Sequence, residues 1–271
     1  MPPADPRRPP PAEDEIALPG GMASGGAVVR VGDTVRRPVG PFTDAVRALL
    51  EHFERVGFQG APCWRGTDER GRAVLDFITG DVGLPPYPAW TVSDDLLVSV
   101  AALQRDAHRA ARGFRAPAAA RWQDTLVPPG LGSALVCHND LCVENVVVRD
   151  GGAVAFIDWD FAAPSDPLLD IAIAARHWVP LRDPNDLDVG RAGVDQIDRF
   201  RSFVGVHELS SPQRARVVDA ALAFLDHALS AMRARAESGL PHYVAAWDAG
   251  YQGQNRRSHA WVLAHRAALT R

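Results

Sequence analysis

Lysine is missing altogether: all 29 basic residues are arginine, set against 33 acidic ones. Any chemistry that needs a lysine amine is thereby excluded, and every cationic contact falls to a guanidinium. Cysteine is scarce as well. Cys63, Cys137 and Cys142 form no CxxC pair, and three thiols without a secretory signal fit a reducing cytoplasm. No apolar run approaches the roughly 18 residues that a membrane helix needs, so no membrane partner is expected. The formal charge of −4 argues against nucleic acid, which favours a basic field. Residues 1–15 are rich in proline and charge and lack an apolar stretch, which reads as a disordered tail.

What is present suggests an α+β chain in two parts. A small β-rich part is expected over 16–83 and a larger, mainly helical part over 84–271, with the proline-rich Leu84 to Trp90 as connector. The glycine-dense run 20–26 leads into a hairpin turning at Gly32-Asp33. A helix is predicted over 41–56, with Val46, Leu49, Leu50 and Phe53 on one face and Gly57 ending it. Ala73 to Ile78 reads as a strand. Ser93 is a good N-cap for a helix over 94–112. Asp150-Gly151-Gly152 between two valine-rich runs is a strong hairpin signature. Further helices are predicted over 167–177, 191–204, 211–237 and 241–269.

One constellation carries chemistry. His138-Asn139-Asp140-Leu141-Cys142-Val143-Glu144-Asn145 has the pattern H-x-D-x-x-x-x-N, and Ile157-Asp158-Trp159 follows after the second hairpin. Phosphoryl transfer needs a carboxylate that orients the attacking hydroxyl, and oxygen ligands that hold Mg²⁺ against nucleotide phosphates. Asp140 suits the first task, and Asn145 and Asp158 suit the second. A strand that leaves after Asn145 and returns at Ile157 brings Asp158 back beside Asn145. His138 is expected to brace the loop by hydrogen bonding within it, and Cys142 to fill space.

These motifs resemble the aminoglycoside phosphotransferase family, the small-molecule branch of the protein-kinase-like fold. The stretch Ala162 to Ala172 is similar to the family's G-D-P-x-x-D-L-A tail, with Ser165 replacing glycine. The close match covers about residues 134–175. The resemblance implies a two-lobed fold, ATP or GTP with Mg²⁺ as cofactors, and a small hydroxyl-bearing acceptor. It implies Asp140 as catalytic base and Asn145 and Asp158 as magnesium ligands, with Asp170 holding the catalytic loop. Asn139 stands where the family has glycine, a mild departure, because Asn tolerates left-handed backbone. The lysine of the small lobe is replaced: Arg37, with Arg36 as second choice, occupies its position. The glutamate that should pair with it falls near Val46, where no carboxylate exists; Asp44, Glu51 or Glu54 are substitutes after a register change.

By the same resemblance Gly25 and Gly26 fold over the nucleotide phosphates, and Asp76, Phe77 and Ile78 belong to a hinge that holds the base. Asp160 and Asp166 are expected near the acceptor. Antibiotic-modifying members bind polycationic sugars in an acidic cleft, for which Asp183 to Asp188 is the candidate loop. The departures in the small lobe leave a second reading open, a kinase-fold pseudoenzyme that binds a nucleotide or metabolite as a regulatory module.

Overall fold

The computed structural model describes residues 15–18 and 28–271. Within them lie two compact units. One comprises the described residues up to Val39 together with Trp64–Phe77; the other comprises Gly40–Cys63 and Ile78–Arg271.

The first unit is an antiparallel five-stranded sheet of β1 (Ile16–Ala17), β2 (Val29–Val31), β3 (Thr34–Arg37), β4 (Trp64–Thr67) and β5 (Ala73–Asp76), in the order β1-β2-β3-β5-β4. The turn between β2 and β3 is Gly32-Asp33 as expected, with Gly32 at φ 58°, a conformation in which a Cβ would be strained. The sheet has little apolar side chain to bury, and ion pairs tie its edges. Asp68 sits between Arg36 (3.7 Å) and Arg72 (2.8 Å), and Arg72 reaches Glu15 at 2.7 Å. Arg65 grips Asp76 with two hydrogen bonds of 2.6 and 2.7 Å across β4 and β5.

The second unit contains α1 (Thr43–Arg55), which was expected in the small part of the chain. The division falls at Phe77 and not at 83/84. The reason is packing: α1 buries Val46, Leu49, Leu50 and Phe53, and the Phe53 ring meets Trp159 edge-on at 5.0 Å. Next comes α2 (Asp94–Ala111), capped as predicted by the Ser93 hydroxyl accepting from the Leu96 N–H. Then β6 (Val136–Cys137), β7 (Val146–Arg149), β8 (Gly152–Phe156) and β9 (Ala163–Pro164) form two two-stranded sheets, β6 with β9 and β7 with β8.

The β7–β8 turn places Asp150 at φ 52° and Gly151 at φ 78°. Two successive positive φ values match the twist of the flanking strands, which is why an Asp-Gly pair serves here. Helices α3 (Pro167–Trp178), α4 (Gln196–Val206), α5 (Ser211–Glu237), α6 (Pro241–Asp248), α7 (Tyr251–Ala264) and α8 (Arg266–Leu269) complete the unit.

Two helical expectations are corrected. The helix predicted from 191 begins at Gln196, because Asp195 caps it with its carboxylate on the Ile197 and Asp198 N–H groups. The single helix predicted over 241–269 is three, interrupted at Gly250 (φ 93°) and again at His265. The core lies around α2, β8, α3, α4 and α5, where Leu97, Phe156, Leu169, Trp178, Phe200 and Leu225 are all buried. Each such large side chain contributes about 1.5–3 kcal/mol of transfer free energy.

Candidate active site

The loop between β6 and β7 is built on a buried polar frame. Asp170, in the first turn of α3, is fully buried, and its Oδ1 accepts the Asn139 N–H at 2.6 Å. Its Oδ2 accepts from Gln104 Nε2 and meets His108 Nε2, both at 2.7 Å. Burial acts to raise the Asp170 pKa, yet these hydrogen bonds and the nearby imidazoles outweigh it and hold the carboxyl below its ordinary value. Gln104 and His108 were not singled out from the sequence. The available signal was a polar pair at i, i+4 spacing on the apolar stripe of α2 that also holds Leu97, Ala101 and Ala111.

Asn139 adopts φ 61°, the left-handed geometry anticipated for it. Its side chain closes the loop: Nδ2 donates to the carbonyls of Cys137, Phe161 and Ala163 at 3.2–3.3 Å, and Oδ1 accepts from Ser165 Oγ at 2.6 Å. Asn139 and Ser165 thus stand together at the two positions where the sequence departs from the glycines of the family pattern.

His138 joins the two motifs. Its Nε2 lies 2.9 Å from the Ile157 carbonyl, and its Nδ1 accepts the Asp140 N–H at 3.3 Å. Donation from Nε2 and acceptance at Nδ1 define one neutral tautomer, and burial lowers the His138 pKa accordingly. The ring packs tilted against Trp159, centroids 4.6 Å apart, and the Trp159 indole N–H is satisfied by the Phe156 carbonyl.

The β7–β8 hairpin performs the return that its length suggested. The Ile157 N–H donates to the Asn145 carbonyl at 2.9 Å, so Asp158 begins directly beyond a pair that zips the loop to the hairpin. Asn145 Nδ2 donates to the Asp140 carbonyl at 2.8 Å and to the Asp140 carboxylate at 3.1 Å. Burial, reinforced by the charge of Asp158, pushes the Asp140 pKa up to about 8, while the Asn145 hydrogen bond opposes this. Asp140, Asn145 and Asp158 are therefore gathered at one place. Asp158 takes the left-handed conformation, φ 57° and ψ 64°, and Asp160 lies in the short turn Trp159–Phe161 that follows. Cys142 is half-buried, and desolvation with the charges of Asp140 and Glu144 pushes its thiol well up, away from nucleophilic use.

Other expected site residues are placed differently. Asp166, expected at the acceptor, instead caps α3 by accepting the Leu168 N–H at 2.9 Å and pairs with Arg216 at 2.6 Å. In the acidic loop, Asp186 is held by Arg257 through hydrogen bonds of 2.6 and 2.8 Å, and Asp183 accepts from Asn185. Of its three carboxylates, only Asp186 is ion-paired among the described residues.

In the first unit, the Phe77 N–H donates to the Asp33 carbonyl at 2.9 Å, and Arg30 covers the Phe77 ring at 3.8 Å. The Asp76 carboxylate is engaged by Arg65, and Ile78 follows at the division between the units. Both Arg36 and Arg37 lie on β3, and alternation along the strand points them to opposite faces. Arg36 is already engaged with Thr34 and Asp68. On α1, Val46 is buried, Asp44 pairs with Arg47 at 3.3 Å, and Glu51 and Glu54 are exposed. Gly25, Gly26 and nearly all of the expected tail lie outside the described residues.

An antiparallel five-stranded sheet followed by a helical unit with this loop–hairpin–Asp arrangement defines a protein-kinase-like α+β fold. Solved structures agree. The choline/ethanolamine kinase family protein of Mesorhizobium loti matches with a TM-score of 0.63 at 17% identity, over 95% of this chain and 92% of that one. The aminoglycoside phosphotransferase of Alicyclobacillus acidocaldarius matches with a TM-score of 0.55 at 16% identity, over 99% and 97%. The model of the phosphotransferase enzyme family matches residues 81–203. The trifolitoxin immunity protein of Rhizobium leguminosarum bv. trifolii is 32% identical over 94% of this chain and 97% of its own length. The chain belongs to the aminoglycoside phosphotransferase family.

Proposed function

We propose that this protein transfers the γ-phosphate of ATP or GTP to a hydroxyl of a small molecule, with Asp140 as the base. The observation that carries the proposal is the convergence of Asp140, Asn145 and Asp158 through the Asn145 hydrogen bonds and the β7–β8 return. Asp140 accepts the acceptor hydroxyl's proton and orients its oxygen for in-line attack on the γ-phosphorus, and the bond to the β-phosphate oxygen breaks. With its pKa pushed up to about 8, Asp140 needs a nearby positive charge to act as a carboxylate at neutral pH. A buried carboxyl pushed up by the charge of a neighbouring carboxylate is a fitting site for a divalent cation.

The donor set fits Mg²⁺: Asn145 uses Nδ2 for Asp140 and leaves its carbonyl Oδ1 without a hydrogen-bond donor among the described residues, and Asp158 adds hard carboxylate oxygens. Mg²⁺ held there would neutralise charge on the nucleotide phosphates. His138 positions both halves of this set from its two ring nitrogens. Arg37, with Arg36 as second choice, is the candidate cation of β3 for a nucleotide phosphate.

The engaged Arg36 and the absence of a carboxylate at Val46 also favour a second reading, a nucleotide-binding module without turnover. The Rhizobium relative is named for immunity to trifolitoxin, which makes trifolitoxin an acceptor to test beside aminoglycosides, macrolides, choline and homoserine. The test is thermal shift with millimolar Mg-ATP and Mg-GTP for wild type, Asp158→Ala and Arg37→Ala, followed by phosphate incorporation. A wild type that shows no nucleotide-dependent shift would sink the proposal. Nucleotide binding with no transfer to any acceptor would leave the second reading standing.

A further inference from the structure

Beside the catalytic loop the second unit carries a concentration of positive charge that the phosphotransferase motifs do not use. Arg176 in α3, Arg182 just beyond that helix and Arg191 in the turn Val189–Arg191 converge on His177. Arg176 Nη1 is 3.4 Å from the His177 ring nitrogen, and Arg191 donates to the His177 carbonyl. Arg191 is 1% exposed and lies over the Tyr87 ring at 4.9 Å. The Tyr87 hydroxyl donates to Glu144 at 2.7 Å, which ties the group to the residue before Asn145. Burial and the three guanidiniums together hold His177 well below its ordinary pKa, so it stays neutral among them.

Among the described residues none of the three arginines has a carboxylate at ion-pair distance, whereas their neighbour Arg199 is paired with Asp94. The Nε atoms of Arg176, Arg182 and Arg191 are each buried without a hydrogen-bond partner. Burial and repulsion from Arg182 lower the Arg176 pKa to about 10, and Asp140 is among the groups that oppose the shift. Arg176 therefore stays charged at neutral pH, and its field reaches the proposed base. Unpaired buried charge is costly, since effective penalties run to several kcal/mol per ion unless an opposite charge offsets them. Arg191 is accounted for by its carbonyl and its ring. Arg176 meets the His177 ring and the Phe224 face at 6.0 Å but no acceptor oxygen, and the Arg182 side chain meets no acceptor among the described residues.

We infer that the acceptor is an anionic small molecule, its carboxylate or phosphate bound by Arg176 and Arg182 while its hydroxyl lies at Asp140. Guanidinium is suited to this because its planar donors match both anions and it cannot lose its charge. In the acidic loop, Asp186 is taken up by Arg257 and is not offered to a cationic acceptor. The role given to the hydroxyl rests on the proposed phosphotransferase activity; the anion preference does not.

The experiment is isothermal titration of the full chain with matched probes: glycerol against glycerate, ethanolamine against serine, and ribose against ribose 5-phosphate. The anionic or carboxylated member of each pair should bind about tenfold tighter or more, the scale of one charge-assisted hydrogen bond. Arg182→Gln should abolish that preference without altering the Mg-ATP thermal shift. Arg201→Gln, which removes the same charge from an exposed pair with Asp198, should leave the preference intact. The inference is overturned if the neutral members bind as well, if no anionic probe binds, or if Arg182→Gln weakens Mg-ATP while the pairs are unchanged. That last result would assign the cluster to the nucleotide. An anion preference without any Mg-ATP shift would uphold the inference and sink the phosphotransferase reading alone.

Discussion

Asn145 donates to both the main-chain carbonyl and the carboxylate of Asp140, at 2.8 and 3.1 Å, so one side-chain amide fixes the backbone and the side chain of the proposed base. Replacing Asp140 should separate chemistry from binding. Asp140→Ala is expected to keep nucleotide binding and to lose phosphate transfer by at least about 10²–10⁴-fold. Asn145→Ala is expected to lose both, because the same residue is the candidate cation ligand. Paired thermal-shift and steady-state measurements read the split, and equal activity in Asp140→Ala would reject it as base.

Asp170 orders the loop through three partners from three segments, Gln104, His108 and the Asn139 N–H. Asp170→Ala leaves those donors buried and should destabilise the protein by about 3–5 kcal/mol, as breaking a buried network does. Chemical denaturation gives the value. A double-mutant cycle with His108→Ala should show coupling; additive losses would mean that the two side chains do not act together.

At Asn139 backbone and side chain have separate roles. Asn139→Gly keeps the φ of 61° accessible and removes only the side-chain hydrogen bonds. Asn139→Ala removes the same bonds and adds left-handed strain, so it should be less stable than the glycine variant by about 1–2 kcal/mol. Equal unfolding midpoints for the two variants would contradict the αL assignment.

The buried histidines should make acid destabilise the fold, a loss that Asp140, raised to about 8, opposes as it takes up its proton. Burial lowers the pKa of His138, His177 and His207 below the ordinary imidazole value of 6.5, in His207 to about 3. For a group whose folded pKa is depressed, stability is fully present above the unfolded pKa and is lost as pH falls toward the folded one. The loss should therefore start below about pH 6.5, with a slope of up to about 1.4 kcal/mol per pH unit for each histidine. Asp170, also depressed, adds to it only below about pH 4. In His207→Leu the stability difference between about pH 7.5 and pH 5 should shrink; an unchanged pH profile in that variant would refute the assignment.

Local signals were the most legible part of the sequence. Asp150-Gly151, Ser93 and the apolar face of α1 were read correctly because a turn, a cap and a helical stripe are each decided by neighbours within a few residues. Gly250 was overlooked as an interruption because the apolar pattern runs on through it, whereas its left-handed backbone ends α6. The catalytic constellation was legible because its members lie within two motifs joined by one hairpin. The acceptor side was not. The acidic loop had the right charge for a cationic ligand in sequence, but Arg257, far along the chain, occupies Asp186.

The sequence alone determined that any cationic group in this protein is an arginine, and that Asp140, Asn145 and Asp158 return to one place through a hairpin of fixed length. Tertiary structure alone decided which charges remain uncompensated. Asp166 and Asp186 found arginines and were neutralised, whereas Arg176 and Arg182 found no carboxylate beside them. Pairing depends on which side chains from distant segments come within about 4 Å of one another, and no spacing along the chain encodes that distance.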